Sequence, residues 1–181
     1  KHVDAFVAQF EGGGETPEVL AIEPDRSGGF WIGTGWGVVY RTDCKQFHPI
    51  MPSSPGLLYV RDIHTAADGT VWCATAGGIF KIENDLLVRV LGDRNWVSAI
   101  TSDNESNLWY GQGWFGGGLS RYDPKTGAEA FFTTAQGLPD NQVSAVELSS
   151  DGGVWVGTGA GLARFRDGKI EDFREKFGIR T

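Results

Sequence analysis

Apolar residues fall along this chain in short runs, and the runs recur. Four of them open on Val and close three residues later on Ile or Val: Val19-Leu-Ala-Ile22, Val60-Arg-Asp-Ile63, Val97-Ser-Ala-Ile100 and Val143-Ser-Ala-Val146. Each leads to a turn pair, Ser27-Gly28, Asp68-Gly69, Glu105-Ser106 or Asp151-Gly152. Asp-Gly is favoured chemistry for a tight hairpin that needs positive φ. Four residues on comes a tryptophan between apolar neighbours: Phe-Trp31-Ile, Val-Trp72-Cys, Leu-Trp109-Tyr and Val-Trp155-Val. The pattern predicts strand, hairpin, strand. Beyond each Trp a glycine precedes a third run, at Val38-Val39, Ile79-Phe80, Leu119-Ser120 and Leu162-Ala163. A fourth strand is expected over 46–49, 87–91, 128–132 and 169–173.

The unit repeats roughly every 40 residues, and four short strands at that period are the mark of β-propeller blades. Helical solenoids share the period, but no sustained i, i+3, i+4, i+7 pattern is present and 27 glycines punctuate the chain at turn spacing. The expected fold class is all-β, a β-propeller of four-stranded antiparallel blades with four complete blades in this chain. The divisions are 19–50, 51–91, 92–134 and 135–174. Residues 1–18 read as an orphan outer strand with its connection, and 175–181 as the start of another connection. Neither end supplies the complement that would close a ring, so the four blades are expected to belong to a larger one.

Composition narrows the partners. The chain of 181 residues is 40% hydrophobic and 22% charged, which is globular. Its net charge of −7, with no basic run, argues against a phosphate-dominated nucleic-acid surface. No apolar stretch approaches the roughly 20 residues of a membrane span. Cys44 and Cys73 occupy unrelated places in their repeats and do not fix the redox compartment.

The full repeat, Val-x-x-Ile, Asp-x-x-Gly, apolar-Trp-apolar-Gly-Thr, then Gly-Leu-x-Arg, resembles the two-component regulator propeller family. The fourth copy carries it best, with Val143, Val146, Asp151, Gly152, Trp155, Gly157, Thr158, Gly161, Leu162 and Arg164. The first has Ser27 for the Asp and Val38 for the Leu. The second has Ala74 for the Gly and Lys81 for the Arg, and the third has Gln112 for the Thr and a three-residue insertion before Gly118. The resemblance implies seven-bladed rings in the sensor region of hybrid histidine kinases, a periplasmic or extracellular location, and a kinase output domain elsewhere in the protein.

The repeat tryptophans read as core. Three others break the repeat: Trp36 and Trp114 between second and third strands, and Trp96 before a first strand. Strand alternation puts these connections at one end of the ring, where aromatic planes suit the apolar faces of sugar rings. Trp36, Trp96, Trp114, Phe115, Arg61 and Arg94 are therefore the candidate ligand-binding residues, for an oligosaccharide or other small molecule. His64, with Glu23 and Glu147 at equivalent places near the axis, forms a polar channel exit at the other end. His2, His48 and His64 stand at unrelated repeat positions, so no catalytic residue, metal or cofactor is assigned. The leading expectation is a non-catalytic ligand-sensing propeller. Alternatives are a lyase or hydrolase of the virginiamycin-lyase type, and a protein-interaction scaffold that completes its ring as a homo-oligomer.

Overall fold

The computed structural model describes residues 18–42, 46–53, 59–91, 96–113 and 117–174, so the strand expected near the amino terminus and the connection after 174 lie outside the described residues. All four repeats fold as four-stranded antiparallel units. The first holds β1 (Val19–Pro24), β2 (Phe30–Thr34), β3 (Val39–Thr42) and β4 (Phe47–Pro52). The second holds β5 (Val60–Thr65), β6 (Val71–Thr75), β7 (Gly78–Glu83) and β8 (Leu86–Leu91). The third holds β9 (Val97–Ser102), β10 (Leu108–Gln112), β11 (Leu119–Tyr122) and β12 (Glu129–Phe132). The fourth holds β13 (Val143–Leu148), β14 (Val154–Thr158), β15 (Gly161–Arg166) and β16 (Lys169–Asp172).

The hairpins between first and second strands share one geometry. Asp25 and Gly29 exchange a hydrogen bond, and the Gly28 amide donates to the Asp25 carbonyl, 2.9 Å each. The same pair of bonds recurs at Ala66–Thr70, Asp103–Asn107 and Ser149–Gly153. This is the three-residue loop in which a type I turn is followed by one left-handed residue. That residue is Gly28, Gly69, Ser106 or Gly152, with φ of 92°, 93°, 70° and 82°. Thus the expected positive φ falls on the second member of each predicted pair. At the other end of the second strand a hydroxyl closes the connection. Thr34, Thr75 and Thr158 donate from Oγ1 to the carbonyls of Val38, Gly78 and Gly161, each at 2.8 Å.

A strand whose apolar residues lie three apart would put them on opposite faces. Here each first strand carries a register shift after its Val, between Val19 and Ala21, Val60 and Asp62, Val143 and Ala145, with the matching shift at Gly111/Gln112 opposite β9. The extra residue of a β-bulge restores Val and Ile to one face. In the second, third and fourth units that face meets the preceding unit.

Consequently the cores lie between units. Ala21, Trp31 and Val39 of the first pack on Val60, Ile63 and Phe80 of the second. Trp72, Ala74 and Ile79 of the second pack with Val97, Ile100 and Tyr110 of the third. Ala99, Trp109 and Leu119 of the third pack on Val143, Val146 and Val154 of the fourth. Burying a tryptophan in such a seam contributes up to about 4–6 kcal/mol. A basic side chain lies over three of the four repeat tryptophans: Arg41 over Trp31 at 5.3 Å, Arg121 over Trp109 at 5.7 Å and Arg164 over Trp155 at 5.1 Å. Each is the Trp's direct cross-strand partner and is anchored to a hairpin acid: Asp25 at 2.8 Å, Glu105 at 2.9 Å, and Asp151. The Arg of the repeat is therefore the lid of the Trp.

The outer edges hold one departure from the expected separate blades. β4 runs on to Pro52 and pairs in parallel with β8, Met51 opposite Leu86 and Pro52 opposite Leu87. The first two units thereby merge into one eight-stranded sheet. Outer strands of successive units run in the same direction and each leaves a row of unpaired backbone groups, so a short parallel ladder between them satisfies both edges.

The seam is tightest at the glycine two residues past the Trp. A Cβ on Gly33 would stand 2.6 Å from Cγ1 of Val60, and one on Gly111 would collide with Cγ1 of Val143. On Gly157 the first obstacle is Ala145 of the same sheet, at 3.3 Å. Gly33→Ala and Gly111→Ala are expected to cost about 1–3 kcal/mol each by overpacking. Gly157→Ala should cost less than about 1 kcal/mol, and urea unfolding of the three variants reads the contrast.

Candidate functional site

The second-to-third connection of every unit is tied to the residue just before its first strand. The amides of Gly35, Ala76, Gly113 and Gly159 donate to the carbonyls of Glu18, Tyr59, Trp96 and Gln142, at 2.9, 3.1, 3.3 and 2.9 Å. These bonds put Trp36, which follows Gly35, at the same end as Trp96, as strand alternation predicts. Trp36 is 45% exposed. Trp96 is half-buried and reaches back to the second unit, its amide donating to the Ala76 carbonyl at 3.1 Å.

Two neighbours flank the Trp96 ring. The Arg61 guanidinium lies 5.6 Å from its centroid, and Tyr59 stands 6.1 Å away at 37°. Arg61 is the extra residue of the β5 bulge, the position held by Leu20, Ser98 and Ser144 elsewhere. A bulge re-aims its side chain. Ser98 turns its hydroxyl to the Gly111 and Val143 carbonyls; Arg61 turns to the indole instead. Tyr59 also meets the first unit, since a Cβ on Gly35 would sit 3.6 Å from its ring. Tyr59 was missed by sequence reasoning, yet it occupies the repeat position of Trp96, immediately before the Val of a first strand. Aligning Glu18, Tyr59, Trp96 and Gln142 would have found it.

Trp96 also has φ of +63°. A bulky side chain in the left-handed region costs on the order of 1–3 kcal/mol and persists only where the surroundings hold it. Here they are the two backbone bonds and the Arg61–Tyr59 flanks. Trp114, Phe115 and Arg94 lie outside the described residues; of the other three candidates the structure brings Arg61 and Trp96 together and puts Trp36 at the same end, in the first unit.

At the inner edge, the first strands pack side by side, β1 on β5, β5 on β9 and β9 on β13. Their polar residues bind across the seams. Glu23 Oε1 accepts the Thr65 amide at 2.9 Å, and His64 Nε2 lies 2.8 Å from Ser102 Oγ. Asp62, to which the sequence reading gave no site role, takes two amides: Ile63 of its own strand and Ile100 of the next unit, both at 2.9 Å. It stands where the other repeats have Ala21, Ala99 and Ala145. Burial pushes its carboxyl up to about 6 against those two bonds, and the negative charges of Glu23 and Glu147 push the same way. Burial lowers His64, although Glu23 and Glu147 pull it up. Cys73 is a fully buried thiol held far above its ordinary range by burial, with the Asp62 charge adding to it, which leaves it without thiolate chemistry. Among the described residues no group of three or more His, Cys, Asp or Glu side chains is arranged to hold a metal ion.

The Asp62 shift sets a pH dependence. A folded-state pKa above the unfolded one means that the contribution is fully present below the unfolded value near 3.8 and is lost as pH rises through about 6. Relative to Asp62→Asn, the native chain is expected to lose up to about 3 kcal/mol between pH 4 and 7. Paired denaturant titrations across that range measure it, and a pH-independent difference would contradict the shift.

The family model for the two component regulator propeller matches residues 137–160, the segment that runs from the fourth unit's entry to its second-to-third turn. No curated protein matches the chain. Among solved structures, the extracellular domain of the hybrid two-component system BT3049 from B. thetaiotaomicron is 27% identical with a TM-score of 0.73, covering 88% of this chain and 23% of that one. That of the one-component system BT4673 from the same organism is 23% identical, with a TM-score of 0.73 over 89% and 22%. An inactive variant of virginiamycin B lyase from Staphylococcus aureus is 19% identical, with a TM-score of 0.67 over 89% and 56%. The last two likenesses are of fold alone, and the chain spans less than a quarter of either extracellular domain. Among the described residues no helix is long and apolar enough to cross a membrane. The fourth unit thus matches the two-component regulator propeller repeat over residues 137–160, and the same strand order recurs in the three units before it.

Proposed function

We propose that this chain is a non-catalytic sensing part of an extracytoplasmic signalling propeller, whose connection end binds an oligosaccharide and biases a histidine-kinase output. The observation that carries the reading is Trp96, held in a left-handed conformation with Arg61 over its face and Tyr59 beside it. Strained backbone of this kind clusters at ligand sites. An indole plane offers an apolar platform to a sugar ring, and a guanidinium alongside donates to hydroxyl, carboxylate or sulfate oxygens. Trp36 is exposed at the same end, in the first unit. The likeness to the extracellular domain of the hybrid two-component system BT3049 supports the signalling half of the proposal.

Intrinsic tryptophan fluorescence, titrated with neutral and uronic-acid-bearing oligosaccharides, tests the site. Trp96→Ala is expected to weaken binding at least about tenfold, equivalent to about 1.4 kcal/mol, for every ligand that binds. Arg61→Ala should weaken acidic ligands more than neutral ones. Binding unchanged in both variants, with thermal unfolding also unchanged, would sink this assignment.

A further inference from the structure

One side chain clamps the first and second hairpins across their seam. Arg26 of the first hairpin reaches over to the second, where its Nη2 donates to the carbonyls of Ala66 and Ala67 at 2.7 and 2.8 Å. The guanidinium lies against the left-handed glycine of that turn: a Cβ on Gly69 would stand 3.3 Å from Nη1. The Ala66 oxygen also accepts the Gly69 amide at 2.9 Å, and a carbonyl's two lone pairs accommodate both bonds. A bare glycine beside two carbonyls is thus a seat for a guanidinium.

The third and fourth hairpins repeat the seat without the clamp. The shared turn bonds align Asn104 with Arg26, and Ser149, Ser150 and Gly152 with Ala66, Ala67 and Gly69. Gly152 has φ of 82° against 93° for Gly69, and its amide donates to the Ser149 carbonyl at the same 2.9 Å. Among the described residues nothing comes within 4 Å of a Cβ on Gly152. Asparagine is too short to bridge the seam as Arg26 does, and a cleft of about 330 Å³ stands beside it. Asp103, Asn104 and Glu105 of the third unit line it, with Gly152, Phe165 and Asp167 of the fourth. That volume suits a small ligand. Two arginines in the wall are already engaged, Arg121 by Asp103 and Glu105, and Arg166 by Asp151 and Asp167. The three lining acids outnumber them, so the cleft favours a cation. At the seam between second and third units Ala67 and Ser106 hold the two positions, and the bare glycine is lost there.

We propose that this cleft binds a ligand bearing a guanidinium group, seated against Gly152 with its N–H groups on the Ser149 and Ser150 carbonyls, as Arg26 sits on the second hairpin. A planar, weakly hydrated fork lies flat on peptide backbone while donating at its edge, which a compact ammonium cannot do. Both walls belong to complete four-stranded units. The cleft lies at the hairpin end, opposite the connection end that carries Trp96, so its occupancy is independent of the ligand proposed there. An arginine side chain of a partner peptide and a free guanidino compound present the same group.

Amide proton–nitrogen correlation spectra of the whole chain, titrated with ethylguanidinium below denaturing concentrations, test it. Saturable shifts are expected at the Gly152 amide, with ethylammonium at least about tenfold weaker. Asn104→Arg supplies the clamp from within, so it should weaken ethylguanidinium at least about tenfold while raising the melting temperature. Arg26→Ala should do the reverse, lowering the melting temperature and opening a second seat whose occupation shifts the Gly69 amide. The tripeptide Gly-Arg-Gly separates the sources. Binding at least about tenfold tighter than ethylguanidinium marks a peptide arginine, and anything weaker marks a free guanidino compound. No saturable shift at Gly152, an equal response to ethylammonium, or binding that ignores Asn104→Arg would overturn the proposal.

Discussion

The structure depends on one close approach: a first-strand valine pressed against backbone that has no side chain. Gly33 under Val60 and Gly111 under Val143 let neighbouring sheets come near enough for Trp31 and Trp109 to be covered by the next unit. No four-stranded sheet here has a core of its own. Stability therefore resides in the seams, as expected of stacked repeats whose units cannot bury their faces alone. The bulge in each first strand belongs to the same constraint. Without it Val and Ile of the Val-x-x-Ile phrase would face opposite ways, and the seam would lose one of its two apolar rows.

Much of this was legible in the sequence, because repetition supplies its own alignment. The turn pairs marked the left-handed residues, and the Gly-Thr phrase marked the strand-end hydroxyl bond. Less legible was anything that depends on two units at once. The family phrase lists Asp, Trp and Arg as separate letters, yet Arg164 covers Trp155 and is held by Asp151 as one assembly. In the first unit the acid comes from Asp25, the opening residue of the turn, so Ser27 at the usual Asp position is no loss. Asp62 was given no site role, because an acid beside Arg61 in a first strand reads as an ion-pair partner of that Arg. The bulge turns it instead onto the Ile100 amide of the next unit. The pairing of β4 with β8 had no signal at all, since two residues of parallel ladder leave no periodicity.

Electrostatics separates the two ends of the strands. In the hairpins carboxylates are held down: Asp151 by the Arg164 guanidinium, and Asp68 by the Thr70 amide. Asp103 follows them because bonds from Trp109 and Asn107 together overcome its burial. These groups favour folding above the ordinary carboxylate range and lose their contribution as pH falls through it. Asp62 at the inner edge has the opposite sign, through burial and the Glu23 and Glu147 charges. Acidification thus loosens the hairpin lids over the tryptophans while relieving the seam between second and third units, so no single pH optimum describes every seam.

The candidate site draws on the same architecture at a cost. In three repeats the residue before the first strand carries a backbone of ordinary hand, whereas Trp96 is forced into the left-handed region by bonds to both the second and third units. Its indole is consequently fixed across a seam, with Arg61 supplied by the neighbouring bulge. A ligand lying on that indole would touch two units whose relative position is set by Val97 packing against Ala74 and by the Asp62–Ile100 bond. Any shift in that seam would move Arg61, carried by the second unit, against Trp96, which opens the third. Binding and seam geometry are then one equilibrium, and a ligand that prefers one spacing of the two units favours it by its difference in affinity for the two spacings. On the proposed reading, this would be the physical route from ligand to output in a fold built from rigid seams, with the sensitive joint between β5 and β9.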